Sequence, residues 1–163
     1  MSTKTILVVS DTHGRLRELR MLLRSEKNAD AMFFLGDGLF DLQRACELEG
    51  PCPYPVYPVR GNCDAGAPEP PEGLVPLGGV LFFYTHGHLY EAKSGPDTLA
   101  EAAANRGADV VLYGHTHRRK LLRPTDGLPV TLFNPGSLYS EGCYGVITVT
   151  EGQCSFTWKR VSV

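Results

Sequence analysis

Short apolar runs alternate with amphipathic stretches along this chain, and the alternation predicts its elements. Residues 6–10 (ILVVS), 31–35 (AMFFL), 80–85 (VLFFYT) and 110–113 (VVLY) are continuous apolar runs of the kind that form strands. Such runs suit sheets covered on both faces. Residues 55–60 (PVYPVR) make a weaker strand because of their prolines, and 130–133, 146–149 and 155–161 complete the set.

Helical spacing appears between the early strands. Leu16, Leu19, Leu22 and Leu23 share one stripe, and Leu39, Leu42 and Cys46 begin another. Residues 96–106 (PDTLAEAAANR) open on a proline suited to a first turn and stop at Gly107, a residue type that ends helices. Strand–helix repetition followed by a strand-rich end predicts an α/β layered fold, with two sheets packed together and helices outside. The prolines of residues 66–73 (GAPEPPEG) predict a surface loop.

Composition narrows the functional classes. At 163 residues the chain fits one domain, residues 1–163, large enough to bury a core without staples. With 16 basic against 18 acidic residues, the net charge of −2 gives no general attraction to nucleic acid or anionic membrane. Arg118-Arg119-Lys120 is a local basic patch all the same. The first apolar run is too short for a signal peptide, and none approaches the roughly 20 residues that span a bilayer. A cytoplasmic protein without a membrane partner is expected. The five cysteines, an odd number without CxxC spacing, read as reduced thiols.

The residues that follow each strand carry the chemistry. The first strand ends in Asp11-Thr12-His13, the second in Gly36-Asp37 and the third in Gly61-Asn62-Cys63-Asp64. The fourth ends in His86-Gly87-His88 and the fifth in His115-Thr116-His117. Side chains two apart on an extended chain point the same way, so each His-x-His pair can face one pocket. All five histidines of the chain lie in these strand-end segments. Each fragment alone reads as a turn, a cap or a histidine at a strand end; five in order, each at a strand end, do not. Open α/β sheets place ligands at the carboxyl ends of their strands.

Asp11, His13, Asp37, Asn62, His86, His115 and His117 mix carboxylate, imidazole and amide donors. That mixture suits Mn²⁺, Fe or Zn²⁺ better than Ca²⁺. Seven ligands exceed what one catalytic ion with an open position uses, and match two ions sharing a carboxylate.

The ordered set D-x-H, GD, GN-x-D, THGH and GHTH resembles the calcineurin-like metallophosphoesterase superfamily. Its span, from residue 11 to residue 137, covers most of the chain. The short length, the cysteine at position 63 and Asn134-Pro135-Gly136-Ser137 are similar to the small YfcE-like phosphodiesterase branch.

The resemblance implies a four-layer α/β/β/α sandwich of two packed mixed sheets flanked by helices. It implies that Asp11, His13 and His117 hold one divalent ion, that Asn62, His86 and His115 hold a second, and that Asp37 bridges them. Mn²⁺ is the first expectation for both ions, with Ni²⁺, Co²⁺, Zn²⁺ and Fe as alternatives. Asp37, Asn62 and His88 are the expected catalytic residues, with Asn62 and His88 also contacting the substrate phosphate and Cys63 and Asp64 beside the ligands. The implied reaction is hydrolysis of a small phosphodiester by attack of a metal-bridging hydroxide on phosphorus. Relatives of this branch also suggest a homodimer or homotetramer.

Cys63 departs from the larger superfamily, where a histidine in GNHD can protonate the leaving group. The alternative function is a non-catalytic metal-binding scaffold resembling the retromer small subunit, but a scaffold has no need of an intact ligand set. A nuclease acting on duplex nucleic acid is not expected, because the chain lacks long insertions and a basic surface.

Overall fold

Side-chain alternation along β1 (Thr3–Val9) divides its apolar residues between two cores. The protein is described here by a computed structural model, which covers residues 2–161. Ile6 and Val8 pack with Phe33, Leu35, Phe82, Leu112 and Phe133 between two sheets. Leu7 and Val9 turn to the opposite face, where they meet Leu19 and Leu22 of α1 (Leu16–Ser25) and Leu42 of α2 (Leu39–Glu49). Every one of these residues is buried, which is why both parities of the strand are apolar.

The first sheet has the order β10-β9-β1-β2-β3, with β2 (Ala31–Phe34), β3 (Val56–Pro58), β9 (Cys143–Thr150) and β10 (Gln153–Arg160). β1, β2 and β3 run parallel, while β9 and β10 are antiparallel additions. The second sheet has the order β4-β5-β6-β8-β7, made from β4 (Glu72–Leu77), β5 (Val80–Thr85), β6 (Val110–Leu112), β7 (Arg119–Leu122) and β8 (Thr131–Pro135). Its central strands β5, β6 and β8 are parallel and its edges antiparallel. Phe83, Val111 and Leu132 on its outer face pack against Leu99 and Ala103 of α3 (Asp97–Asn105). The layers are therefore α/β/β/α, as the sequence pattern and the family resemblance imply.

Several elements differ from the sequence reading, each for a physical reason. β4 begins inside the proline-rich stretch taken as loop; it is an edge strand, where Pro76 interrupts no second ladder. β7 opens on Arg119 and Lys120, charged residues that protect an edge rather than announce a strand. The single turn α4 (Leu138–Glu141) follows Ser137, whose hydroxyl accepts the Ser140 N–H. α3 starts one residue after the proline expected to open it, and Gly107, at φ +75°, stops it as expected.

Parallel pairing puts the carboxyl ends of β1, β2 and β3 on one edge, and those of β5 and β6 on the matching edge of the second sheet. Contacts between chain segments hold the two edges close. The His115 N–H donates to Asp11 Oδ2 at 3.0 Å, and His86 Nδ1 lies 2.6 Å from the Leu35 carbonyl.

Candidate metal centre

Backbone conformation marks this edge. Among the described residues seven non-glycine residues have positive φ, and five of them are Asp11, His13, Asp37, His115 and His117. Left-handed backbone is tolerated by Asp and His better than by most residues, and it recurs where side chains must be aimed.

Asp11 is fully buried, and its two oxygens differ. Oδ2 accepts the Ser10 hydroxyl at 2.5 Å and the His115 N–H at 3.0 Å. Oδ1 has no hydrogen-bond donor; it faces His117 Nε2 at 3.2 Å and His13 Nε2 at 3.5 Å. His13 Nε2 is likewise buried without a hydrogen-bond partner. His117 Nδ1 lies 2.9 Å from Ser140 Oγ, which orients the ring and leaves Nε2 directed at Asp11.

Asp37 joins this cluster to a second one. Its Oδ1 accepts the Cys63 N–H at 2.8 Å. Its Oδ2 stands 3.6 Å from His13 Nε2 and 3.2 Å from His86 Nε2. His86 is fully buried with Nδ1 2.6 Å from the Leu35 carbonyl, so Nδ1 carries a proton and Nε2 is the nitrogen turned toward Asp37. His115 Nδ1 approaches that same Nε2 at 3.2 Å.

The electrostatics follow from this crowding. Burial alone would raise the Asp37 carboxyl, but the hydrogen bond and charge of His86, with the Cys63 N–H, outweigh it and hold it far below the usual carboxylate range. Burial lowers His86, yet its hydrogen bond to Asp37 and the charges of Asp11 and Asp37 raise it above 6.5. His115 is pushed down to about 4 by burial, then by the charges of His86 and Lys93.

Two buried carboxylates thus face imidazole nitrogens, a costly arrangement unless positive charge sits among them. Asp11, His13 and His117 could hold one cation, and Asp37, His86 and His115 another; within each set the donor atoms lie within 4.8 Å of one another. Imidazole with carboxylate is the donor chemistry of divalent transition metals, so the residues fit such ions.

Comparison with known proteins supplies the family. Residues 5–152 match the calcineurin-like phosphoesterase superfamily domain. The chain belongs to that superfamily.

Among its relatives is the probable metallophosphoesterase YsnB of Bacillus subtilis, 32% identical over 82% of this chain and 74% of that protein. The phosphodiesterase MJ0936 of Methanocaldococcus jannaschii is 28% identical over 86% of this chain and 85% of its own length. A conserved Streptococcus pneumoniae protein, itself predicted to be a phosphoesterase, superimposes with a TM-score of 0.80 at 25% identity, over 97% of this chain and 90% of that one. Vacuolar Protein Sorting 29 from Cryptosporidium parvum shares the fold, with a TM-score of 0.71 at 14% identity, over 96% and 97% of the two chains.

The remaining sequence candidates of this phosphoesterase surround the two clusters. A Cβ on Gly61 would come within 2.2 Å of Asp37 Oδ1, so only glycine lets the Asn62-Cys63 segment lie against Asp37. Asn62 is exposed there, and its amide donates to Cys63 Sγ at 3.6 Å. The Cys63 thiol and donor atoms of His13 and Asp37 lie within 4.8 Å of one another. Burial, then the Asp37 charge, raises its pKa. His88 heads a short 3₁₀ turn, its ring centroid 5.4 Å from that of His86 and 6.1 Å from that of His115. Its Nδ1 is buried without a hydrogen-bond partner. Burial and the charge of His86 lower its pKa, which keeps the ring neutral near pH 7.

Asp64 reaches no ligand cluster and instead accepts four backbone N–H groups. Those of Asp37, Gly38, Leu39 and Gly61 approach at 2.6, 3.0, 3.1 and 2.8 Å. Sequence reasoning missed comparable supports. Asp41 accepts the Thr12 hydroxyl at 2.5 Å and the Gly14 N–H at 2.8 Å, fixing the loop that carries His13. Asn134 donates to the Gly114 carbonyl at 3.1 Å and to Thr116 Oγ1 at 3.0 Å, fixing the loop of His115 and His117. Ser137 donates to the Asp11 carbonyl at 2.9 Å. An acid in the first turn of α2 is the one local signal that could have pointed to Asp41.

Proposed function

We propose that this superfamily member is a two-metal phosphodiesterase acting on small diesters. Asp11, His13 and His117 hold one divalent ion, and Asn62, His86 and His115 hold the other. Asp37 lies between them. The observation that carries this reading is the buried Asp11 Oδ1, which has no donor and faces two imidazole nitrogens. The matching convergence of Asp37 and His115 on His86 Nε2 supports the second ion.

Bound divalent ions supply positive charge against phosphoryl oxygens and lower the pKa of water. The chain's own residues do the rest. Ser10 and the His115 N–H fix Asp11, the Leu35 carbonyl fixes the His86 tautomer, and Ser140 orients His117. His88, neutral and with an unpartnered Nδ1, binds the phosphoryl group, and exposed Asn62 contacts it as well. Mn²⁺ is the metal we assign first. The scaffold reading draws on the likeness to Vacuolar Protein Sorting 29, which is one of fold over the whole chain and of sequence over only 37% of it. It gives no use to a complete and oriented ligand set.

The test of substrate class is a panel with Mn²⁺ present. Bis(p-nitrophenyl) phosphate should turn over faster than p-nitrophenyl phosphate. The reverse order would move the assignment to phosphomonoesters, and no turnover of either would favour the scaffold.

A further inference from the structure

Arg118 and Lys120 do not point where Arg119 does. Alternation along β7 sends Arg119 to Glu141, 3.6 Å away, and turns Arg118, Lys120 and Leu122 to the other side. There they line a cleft of about 550 Å³ together with Lys93, Tyr113 and Thr116. No acidic residue lines it. Among the described residues, none of Lys93, Arg118 and Lys120 pairs with a carboxylate, whereas Arg20, Arg24, Arg106 and Arg119 all do. Like charge left unneutralised on a concave wall concentrates anions.

The cleft adjoins the metal centre through Thr116, the residue between His115 and His117. Thr116 Oγ1 accepts the Arg118 N–H at 3.3 Å and the Asn134 amide at 3.0 Å, so the basic wall and the ligand loop share one hydrogen-bonded support. Three residues of extended chain, about 3.3 Å each, place Lys120 at most about 10 Å from His117. That is the scale of one nucleoside-sized substituent. Tyr113 and Leu122 add apolar surface beside the cations.

We propose that this cleft is an anion subsite, and that the diester preferred by the enzyme carries a second phosphoryl group beside the scissile one. The arginine fork and two ammonium groups would hold that group by charge-assisted hydrogen bonds. The substrate class is then a phosphorylated nucleotide ester or a similar small ester with a second anionic group, rather than a diester whose only charge is the scissile phosphate. This inference rests on the phosphodiesterase reading, but its test can be separated from it.

Binding of thymidine 3′,5′-bisphosphate and thymidine 5′-monophosphate to the full chain is compared by titration calorimetry in low salt. The bisphosphate should bind roughly tenfold more tightly. Arg118→Gln/Lys120→Gln should abolish that advantage, and Arg118→Lys/Lys120→Arg should keep most of it. No binding of the bisphosphate, equal affinity for the two nucleotides, or an advantage that survives the glutamine pair would each overturn the subsite. Failure to hydrolyse any diester would overturn the phosphodiesterase reading instead, leaving the binding comparison to decide the cleft on its own.

Discussion

Asp64 governs the centre without reaching it. One carboxylate gathers four backbone N–H groups from the turn after β2 and from the Gly61 loop, and so sets where Asp37 and Asn62 stand. Removing it leaves partly buried donors unpaired, at a cost of about 2–4 kcal/mol for the group. Asp64→Ala should therefore lower the stability of the metal-free protein by about that much and also weaken metal binding. Asp37→Ala should do the opposite in proportion, losing metal with a smaller loss of stability. Chemical denaturation of the chelated proteins, with metal analysis of the loaded ones, separates the two. Wild-type stability in Asp64→Ala would show that those N–H groups find other partners. At this scale the sequence was legible where chemistry and position coincide, as in the histidines that all fall at strand ends. It was not legible for Asp41, Ser140 or Asn134, whose partners lie 18 to 29 residues away and exist only once the chain has folded.

Strand ends are the elements that aim the ligands, and their close contact limits what can stand between them. A Cβ on Gly114, just past β6, would meet Ser10 Oγ at 2.0 Å and Asp11 Oδ2 at 2.7 Å. Gly114→Ala should displace the Asp11 carboxylate and reduce bound metal severalfold, although residue 114 offers no ligand. Elemental analysis after dialysis measures this; full metal content would mean that β1 and β6 can separate without disturbing Asp11. The central strands could be read from sequence because burial on both faces leaves continuous apolar runs, as in AMFFL. The edges could not. β4 carries Pro76 and Gly73, and β7 opens on two cations, which are the residues edge strands use against aggregation. Missing β7 also hid the basic cleft, because Arg118 and Arg119 are sorted to opposite sides only by strand alternation.

For the whole molecule, the candidate ligand set is shared between the two sheets. Asp11, His13 and Asp37 follow strands of the first, and His86, His115 and His117 follow strands of the second. Ion binding would therefore link the layers, and protein should be more stable by about 2.7 kcal/mol for each ion whose free concentration is 100 times its Kd. Protons oppose this. His86 has a raised pKa without metal, so below that pKa a proton must leave before its Nε2 can ligate. Affinity for the ion that His86 holds should therefore rise with pH through the raised His86 pKa. His115, with its pKa held near 4, adds no step in that range. Metal titrations from about pH 5.5 to about pH 8.5 read this directly, and a flat profile would remove His86 from the ligand set.

The central claim is that two divalent ions in this centre make the chain a phosphodiesterase. The most direct measurement is hydrolysis of bis(p-nitrophenyl) phosphate by exhaustively chelated protein during stepwise addition of Mn²⁺, with bound metal counted at each step. Chelated protein should show no turnover, and activity should complete as the second equivalent binds. Undiminished hydrolysis after chelation, full activity at a single equivalent, or no hydrolysis with any of Mn²⁺, Ni²⁺, Co²⁺, Zn²⁺ and Fe²⁺ would contradict the claim.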